Sequence, residues 1–317
     1  MIKVRWGFGR MNYRVDPGLY GLGNPNEQSP VLVTANYKMS FDKLREAFAG
    51  RDAWILVLDT GGVNVWCAAG KGTFGTSEIV SRIGSSGLSR VASHRQMILP
   101  QLAGPGVSAH LVKKLSGFKA IYGPIRAVDL PTFLDSGLKA TPAMRLKTFT
   151  IWERVVLIPV ELVGTLKAAM VVMSIFFLTD SLWRNGGFWP NALNHGLYSL
   201  IAVSTAILGG AVLTPLLLPW LPGRPFSLKG MISGVLVTLP LMACRWSSWN
   251  TWSGRLELLG WALLIPAISA YLAMNFTGSS TYTSLSGVKK EMRWALPLQI
   301  GAGVMGLALW IGSHLIS

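Results

Sequence analysis

The 317-residue chain has two cysteines, Cys67 and Cys244, and the first lies in a run of small residues from Gly61 to Thr76, GGVNVWCAAGKGTFGT. A thiol in such a run reads in two ways. It is a small buried apolar side chain, the commonest fate of a cysteine outside a disulfide, or it is a soft ligand or redox group. The stretch WCAAGK predicts a short helix with Cys67 in its first turn. There the backbone N–H groups and the helix dipole favour a thiolate. Lys71 adds positive charge, and Ala68, Ala69, Gly70 and Gly72 let a large flat ligand approach the backbone. The residues alone leave both readings open.

Other chemistry is excluded by spacing. GKGT at 70–73 is not a phosphate loop: Val65 stands where that motif needs glycine, and Gly72 where it needs Ser or Thr. No GxGxxG follows the first predicted strand, which argues against a nicotinamide cofactor. There is no CxxC pair and no Cys/His cluster with zinc or iron–sulfur spacing, so the chain cannot hold a four-cysteine cluster by itself. His94 and His110 are isolated. Cys244 ends an apolar run and reads as a small buried residue. Asn275-Phe276-Thr277 matches a glycosylation acceptor, a pattern frequent by chance.

The elements that position the thiol are legible around it. VLVTANY at 31–37, AWILVLDTGG at 53–62, RQMILP at 95–100 and FKAIYGP at 118–124 read as buried strands. FDKLREAFAG, SEIVSRIG, GVSAHLVKKLSG and LPTFLDSG read as helices between or after them. This alternation predicts an α/β domain with a Rossmann-like parallel sheet over 1–145. Ligands of such sheets sit beyond the carboxyl ends of the strands, and the Cys67 segment begins at one of those ends.

Residues 146–317 predict an all-α membrane domain of five transmembrane helices, near 155–178, 197–218, 228–244, 258–274 and 294–316. Each is close to the ~20 residues a helix needs to cross the hydrocarbon core. Trp183, Trp189, Trp220, Trp246, Trp249, Trp252 and Trp294 fall at or beyond the span ends, where an amphipathic ring gains from the headgroup layer. Lys139, Arg145, Lys147, Arg154, Arg224, Lys229, Lys289, Lys290 and Arg293 flank one side, against Arg184, Arg245 and Arg255 on the other. Nine positive charges against three predict a cytoplasmic N-terminal domain in the inner membrane and a C-terminus outside. The formal net charge of +15 is then explained by the leaflet bias rather than by nucleic acid. Glu161 and Lys167 lie within the first span. The simplest expectation places Glu161 near the interface and pairs Lys167 inside the bundle, and no inverted repeat supports transport. The N-terminus lacks the apolar core of a cleaved signal.

The segment Asn64–Phe74, NVWCAAGKGTF, resembles the signature of the HgcA family, corrinoid proteins of microbial mercury methylation. The stretches 29–46, 54–76, 93–110, 118–134 and 275–292 also look like that family, so the resemblance covers nearly the whole chain. The N-terminal half is similar as well to the corrinoid-binding domain of the corrinoid iron–sulfur protein of the acetyl-CoA pathway, whose cap segment lacks this thiol. The resemblance implies a cobalamin-type, base-off corrinoid with the Cys67 thiolate as the lower axial cobalt ligand. Asn64, Val65, Trp66, Cys67, Ala68, Ala69, Gly70 and Lys71 would form a cap helix, continued by Gly72, Thr73 and Phe74. Thr60 and Gln101 are added as contacts from their places near strand ends.

The implied activity is that of a methyltransferase of anaerobes. Methyl is received by Co(I) from a methyl-folate system or a methyl donor protein. It passes as a carbanion or radical equivalent to Hg(II), giving methylmercury. A soft anionic sulfur donor suits such a release. Low-potential electrons must come from a partner, implied to be an HgcB-like ferredoxin carrying iron–sulfur clusters. The alternative is a membrane-anchored corrinoid methyl carrier in one-carbon or acetyl-CoA metabolism.

Overall fold

The computed structural model describes residues 6, 9, 12–276 and 285–316. It divides into two compact units, one ending at Thr148 and one running on from Phe149. The first unit holds β1 (Gly18–Leu22), β2 (Val31–Ala35), α1 (Lys38–Ala47), β3 (Ala53–Leu58), α2 (Val65–Lys71), α3 (Thr76–Ser85), α4 (Leu88–Val91), β4 (Gln96–Leu99), α5 (Ala109–Ser116), β5 (Lys119–Tyr122) and α6 (Leu130–Asp135).

The strands lie in the order β1-β3-β2-β4-β5. The pairs β2–β3, β2–β4 and β4–β5 are parallel, and β1 adds an antiparallel edge to β3. The four apolar runs therefore form the parallel sheet expected of them. The edge strand, GLYGL, carries too much glycine to announce itself. Burial on both faces accounts for the uninterrupted apolar runs in β2 and β3. Val31, Val33, Ala35, Leu56 and Leu58 face one layer with Ala68, Ala69, Phe74, Ile79, Val112 and Phe118. Leu32, Ile55 and Val57 face the other with Phe41, Leu44, Leu130 and Phe133. The alternation sorts α2, α3 and α5 to one side of the sheet and α1 and α6 to the other.

After β2 the chain crosses to β3, whereas after β4 it crosses to β5 on the opposite side. The carboxyl ends of β2 and β4 thus flank the point where the winding reverses, the place where open α/β sheets take ligands.

The second unit contains five helical segments long and apolar enough to cross a membrane: Ile151–Trp183, Phe188–Leu217, Phe226–Ala243, Trp252–Asn275 and Gly287–Leu315. They outrun the apolar stretches of the sequence because charged residues at their ends are turned inward. Arg184 Nε donates to Asp180 Oδ1 at 3.3 Å and Nη2 to Glu257 Oε2 at 3.1 Å. Arg245 Nη1 reaches Glu257 Oε1 at 2.7 Å, and His195 Nδ1 lies 2.9 Å from Oε2. His314 Nε2 lies 2.8 Å from Asp180 Oδ1, and Ser199 donates to the other oxygen of Asp180. Asp180 and Glu257 are fully buried. This ionic cluster ties together the first, second, fourth and fifth segments at one end of the bundle.

Two cations serve another end. Arg154 Nη1 donates to the carbonyls of Pro215 and Leu216, at 3.1 and 2.8 Å. Lys229 Nζ donates to those of Leu218 and Leu221. They satisfy carbonyls that a helix leaves open at its C-terminus. Several of the residues counted as loop charges are therefore buried: Arg154 and Lys229 on one side, Arg184 on the other. Lys167, expected to pair inside the bundle, is exposed on its helix, and Glu161 is half-buried. A long flexible stem lets such a lysine lie along apolar surface. The Asn275-Phe276-Thr277 match runs outside the described residues at Thr277.

Candidate functional site

The Cys67 helix is built from its cap upward. Asn64 adopts an extended conformation, and its Oδ1 accepts the N–H of Cys67 at 2.9 Å. That is the arrangement an N-cap asparagine makes with the third residue of a helix. At the other end Gly72 takes a left-handed conformation, φ +83°, and its N–H returns to Ala69 O. The sequence thus fixes both ends of a seven-residue helix too short to stand by itself.

Tertiary packing decides which way it faces. Ala68 and Ala69 are buried in the core beside the strands. Val65, Trp66 and Cys67 are half-buried, and Gly70, Lys71, Gly72 and Thr73 are exposed. Cys67, Gly70 and Lys71 are spaced by three and four residues and so share a face. Neither Cys67 nor Cys244 is in a disulfide. The buried-core reading of Cys67 is not what the structure shows: its neighbours Ala68 and Ala69 take the core positions, and the thiol stands beside them at the boundary.

The glycines of the turns before and after the helix have open space around them. A Cβ built on Gly61 or Gly72 would meet nothing within 4 Å. The underside is tight instead. A Cβ on Gly106, in the loop after β4, would lie 2.9 Å from Ala69 O and 3.0 Å from its Cα. That loop is pinned by Tyr122, whose hydroxyl donates to Val107 O at 2.6 Å, and by Ser108 N–H donating to Thr76 Oγ1 at 2.9 Å. Burial holds the Tyr122 phenol above its ordinary pKa. A rigid floor under a small-residue helix whose cysteine is half-buried at the edge of the core fits the demands of a flat macrocycle carrying a soft metal.

The remaining sequence-selected residues occupy different places. Phe74 is wholly buried in the core and donates its backbone N–H to Ala68 O at 3.1 Å. Gln101 is half-buried at the carboxyl end of β4. It opens a short 3-10 turn, Gln101–Ala103, that packs on α2, and its side chain accepts from Arg145. Thr60 is buried, 1% exposed, with its hydroxyl 2.7 Å from Val63 O and 2.8 Å from Asn36 Oδ1. It braces the turn between β3 and α2.

Asn36 and Gly106 were not singled out from the sequence. The signal for Asn36 is an asparagine directly after a buried strand. For Gly106 only its place between Pro105 and Val107 is visible, because the close approach to Ala69 involves residues far apart in the chain.

At the opposite, amino ends of the strands a cleft of about 490 Å³ is lined by Gln28, Phe48, Arg51, His94, Gln96 and Asp135, among others. Arg51 and Asp135 bridge with two hydrogen bonds of 2.6 and 2.7 Å. The Arg51 guanidinium holds the Asp135 carboxyl below its usual range.

Residues 9–128 match the family described as CO dehydrogenase/acetyl-CoA synthase delta subunit. The acetyl-CoA decarbonylase/synthase complex subunit gamma of Methanocaldococcus jannaschii is 38% identical over 91 residues, 28% of this chain and 19% of that protein. The subunit gamma of Methanopyrus kandleri is 32% identical over 123 residues, 38% of this chain and 26% of the relative. That of Archaeoglobus fulgidus is 27% identical over 128 residues, 40% and 27% of the two chains. The chain thus spans about a quarter or less of the length of these curated relatives. The similarity agrees with the resemblance of the N-terminal half to the acetyl-CoA-pathway protein. The family match ends before the membrane-type helices, and the names of these relatives carry no reference to mercury. Over residues 9–128, therefore, this chain is similar to the CO dehydrogenase/acetyl-CoA synthase delta-subunit family.

Proposed function

We propose that the N-terminal unit is a corrinoid-binding methyl carrier held at a membrane by the helices that follow, with the Cys67 thiolate as the lower cobalt ligand. The observation that carries this reading is the half-buried position of Cys67, outside the core that takes Ala68 and Ala69, on a capped helix at the carboxyl end of β3. The similarity to acetyl-CoA decarbonylase/synthase subunits supports the methyl-carrying role.

When bound, the corrinoid supplies a cobalt centre that accepts a methyl group and releases it to an electrophile. The chain's own residues do the rest. Asn64 fixes the first turn so that the sulfur is presented in one orientation. Ala68 and Ala69 seat the helix on the sheet. Gly61 and Gly72, in the turns on either side of the helix, add no side-chain bulk there. The Cys67 sulfur would supply a soft, strongly donating ligand to such a cobalt centre. That property favours a soft electrophilic acceptor, and Hg(II) is the acceptor we propose, giving methylmercury.

The electrons that reset such a centre come from outside the chain, because it has only two cysteines. A ferredoxin-like partner of the HgcB type fits that need, and a methyl-folate system or methyl donor protein fits the supply of methyl. In this arrangement the N-terminal unit faces the cytoplasm and the C-terminus lies outside.

A second reading, a methyl carrier for carbon metabolism, is favoured by the names of the relatives. One experiment covers both. The full chain, purified in detergent and loaded with cobalamin, is compared with Cys67→Ala. Loss of the thiolate-to-cobalt absorption in the variant is the expected result, and a wild-type protein that takes up no cobalt would overturn the reading. The methylated wild type is then offered Hg(II) beside an acetyl-CoA synthase. Preferential transfer to the synthase would replace mercury with the second reading.

A further inference from the structure

Asn36 stands one residue past the end of β2, beside the point where the sheet's winding reverses. Its backbone is held from both sides: its N–H donates to Leu58 O at 3.0 Å, and its carbonyl accepts from Val15 N–H at 2.9 Å. The side chain is 1% exposed. Its Oδ1 accepts from the N–H of Thr60 at 3.1 Å and of Gly62 at 2.9 Å, and its Nδ2 donates to Asp59 Oδ1 at 3.1 Å. A carboxamide oxygen has two lone pairs. The two N–H groups fill them, so the Thr60 hydroxyl directs its single proton to Val63 O, 2.7 Å away. Asp59 Oδ1 also accepts from Gly61 N–H at 3.1 Å.

The whole turn Asp59-Thr60-Gly61-Gly62 is therefore wrapped around one buried amide on another strand. That turn is the sole covalent link from β3 to Val63 and the cap residue Asn64. We propose that Asn36 is a positioning residue: it sets where the helix carrying Cys67 begins and hence where the sulfur stands. Its functional half rests on the reading of Cys67 as a cobalt ligand, but its hold on the turn does not.

The chemistry demands this residue type. Alanine would leave two buried N–H groups unpaired. Glutamine would carry the amide one methylene too far. Aspartate keeps the acceptor for Thr60 and Gly62 but turns a second oxygen toward the Asp59 carboxylate. That last conflict has a specific remedy. In Asn36→Asp combined with Asp59→Asn, the donor and acceptor exchange places: the bond between the two side chains and those to Thr60 and Gly62 N–H can reform, and only the exposed Gly61 N–H, which shared the Asp59 oxygen, is left to solvent.

The test is amide hydrogen exchange on the full-length protein in detergent, comparing wild type, N36D, D59N and the double variant N36D/D59N. Losing the hydrogen bond between residues 36 and 59 and setting two carboxylates against each other should make residues 60–68 exchange about tenfold faster in N36D, with the β3 amides unchanged and the double variant, Gly61 aside, within about twofold of wild type. N36D behaving as wild type, or a double variant no better protected than N36D, overturns the proposal. If N36D also loses protection in the strands, the double variant alone decides: recovered protection supports the proposal and continued loss overturns it.

A second readout separates positioning from mere support. In cobalamin-loaded protein the thiolate-to-cobalt absorption should weaken in N36D and return in the double variant. An unchanged band in an N36D whose turn exchanges fast would overturn the positioning role. A wild type that binds no cobalt sinks the corrinoid reading, while the exchange data still judge the hold of Asn36 on the turn.

Discussion

The Oδ1 of Asn64 lies 2.9 Å from the backbone nitrogen of Cys67, so the residue that starts the helix also fixes the residue that bears its thiol. The helix has seven residues and no length to stabilise itself. Replacing Asn64 by alanine should cost about 1 kcal/mol of local stability, and replacement by aspartate, which keeps an acceptor oxygen, much less. Exchange rates of the Trp66 to Ala68 amides check this. Equal rates in N64A and wild type would show that packing alone holds the helix.

Two glycines near the thiol test different forces. Gly106 lies against Ala69 with no room for a Cβ, so Gly106→Ala overpacks the floor and should cost about 1–3 kcal/mol. Gly61 has open space around it but φ +65°, so Gly61→Ala should cost only about 1 kcal/mol, through backbone strain. Thermal unfolding of the two variants in detergent should rank Gly106→Ala as the more damaging. The reverse order would contradict the packing described for the floor of α2.

Glu257 accepts hydrogen bonds from Arg184 and Arg245 inside the helical unit, and His195 Nδ1 lies 2.9 Å from it. Removing its charge leaves two arginines with one fewer partner in a dry setting. Glu257→Gln should therefore cost about 3–5 kcal/mol, as breaking a buried ion pair does. The expected observation is a sharp fall in the yield of folded protein in detergent. Arg255→Gln is the comparison: Arg255 donates through Nε to the carbonyl of Trp249 and lies over the Trp252 ring, contacts that involve neither buried carboxylate, and its loss should be tolerated.

The Arg51–Asp135 bridge gives a pH dependence with a defined sign. Asp135 is held below its ordinary pKa, chiefly by its hydrogen bonds with Arg51. A depressed carboxylate contributes stability that is present above its unfolded pKa. That contribution is lost as pH falls through its folded value. Because the pair is exposed, the effect is small and screened by salt. Asp135→Asn should flatten the acid side of the stability profile between pH 5 and pH 2 relative to wild type, and more so at low salt. An unchanged profile would show that the bridge contributes nothing.

Local pattern made much of the chain legible. Val31–Ala35 and Ala53–Leu58 are short β-branched apolar runs buried on both faces, and such runs have few alternatives to a central parallel strand. Asn64 before VWCAAGK and Gly72 after it are helix punctuation readable within ten residues. The five long apolar helices followed from composition and length.

What the sequence left undecided are relationships between residues far apart in the chain. No periodicity reveals that Asn36 organises the turn 24 to 26 residues later, or that Gly106 lies under Ala69. Glycine-rich β1 found its place only because the exposed edge of β3 was available to pair. In the helical unit, Asp180, Arg184, Glu257 and His314 look like span ends to any count of apolar residues. Folding turned them inward, because each found a charged or hydrogen-bonding partner on another helix and so offset the cost of leaving water. The sequence by itself determined the elements, since these depend on near neighbours and side-chain period. The tertiary structure alone decided that Cys67 stands at the edge of the core rather than in it and which polar groups hold its helix there, since those depend on which distant backbone atoms lacked a partner.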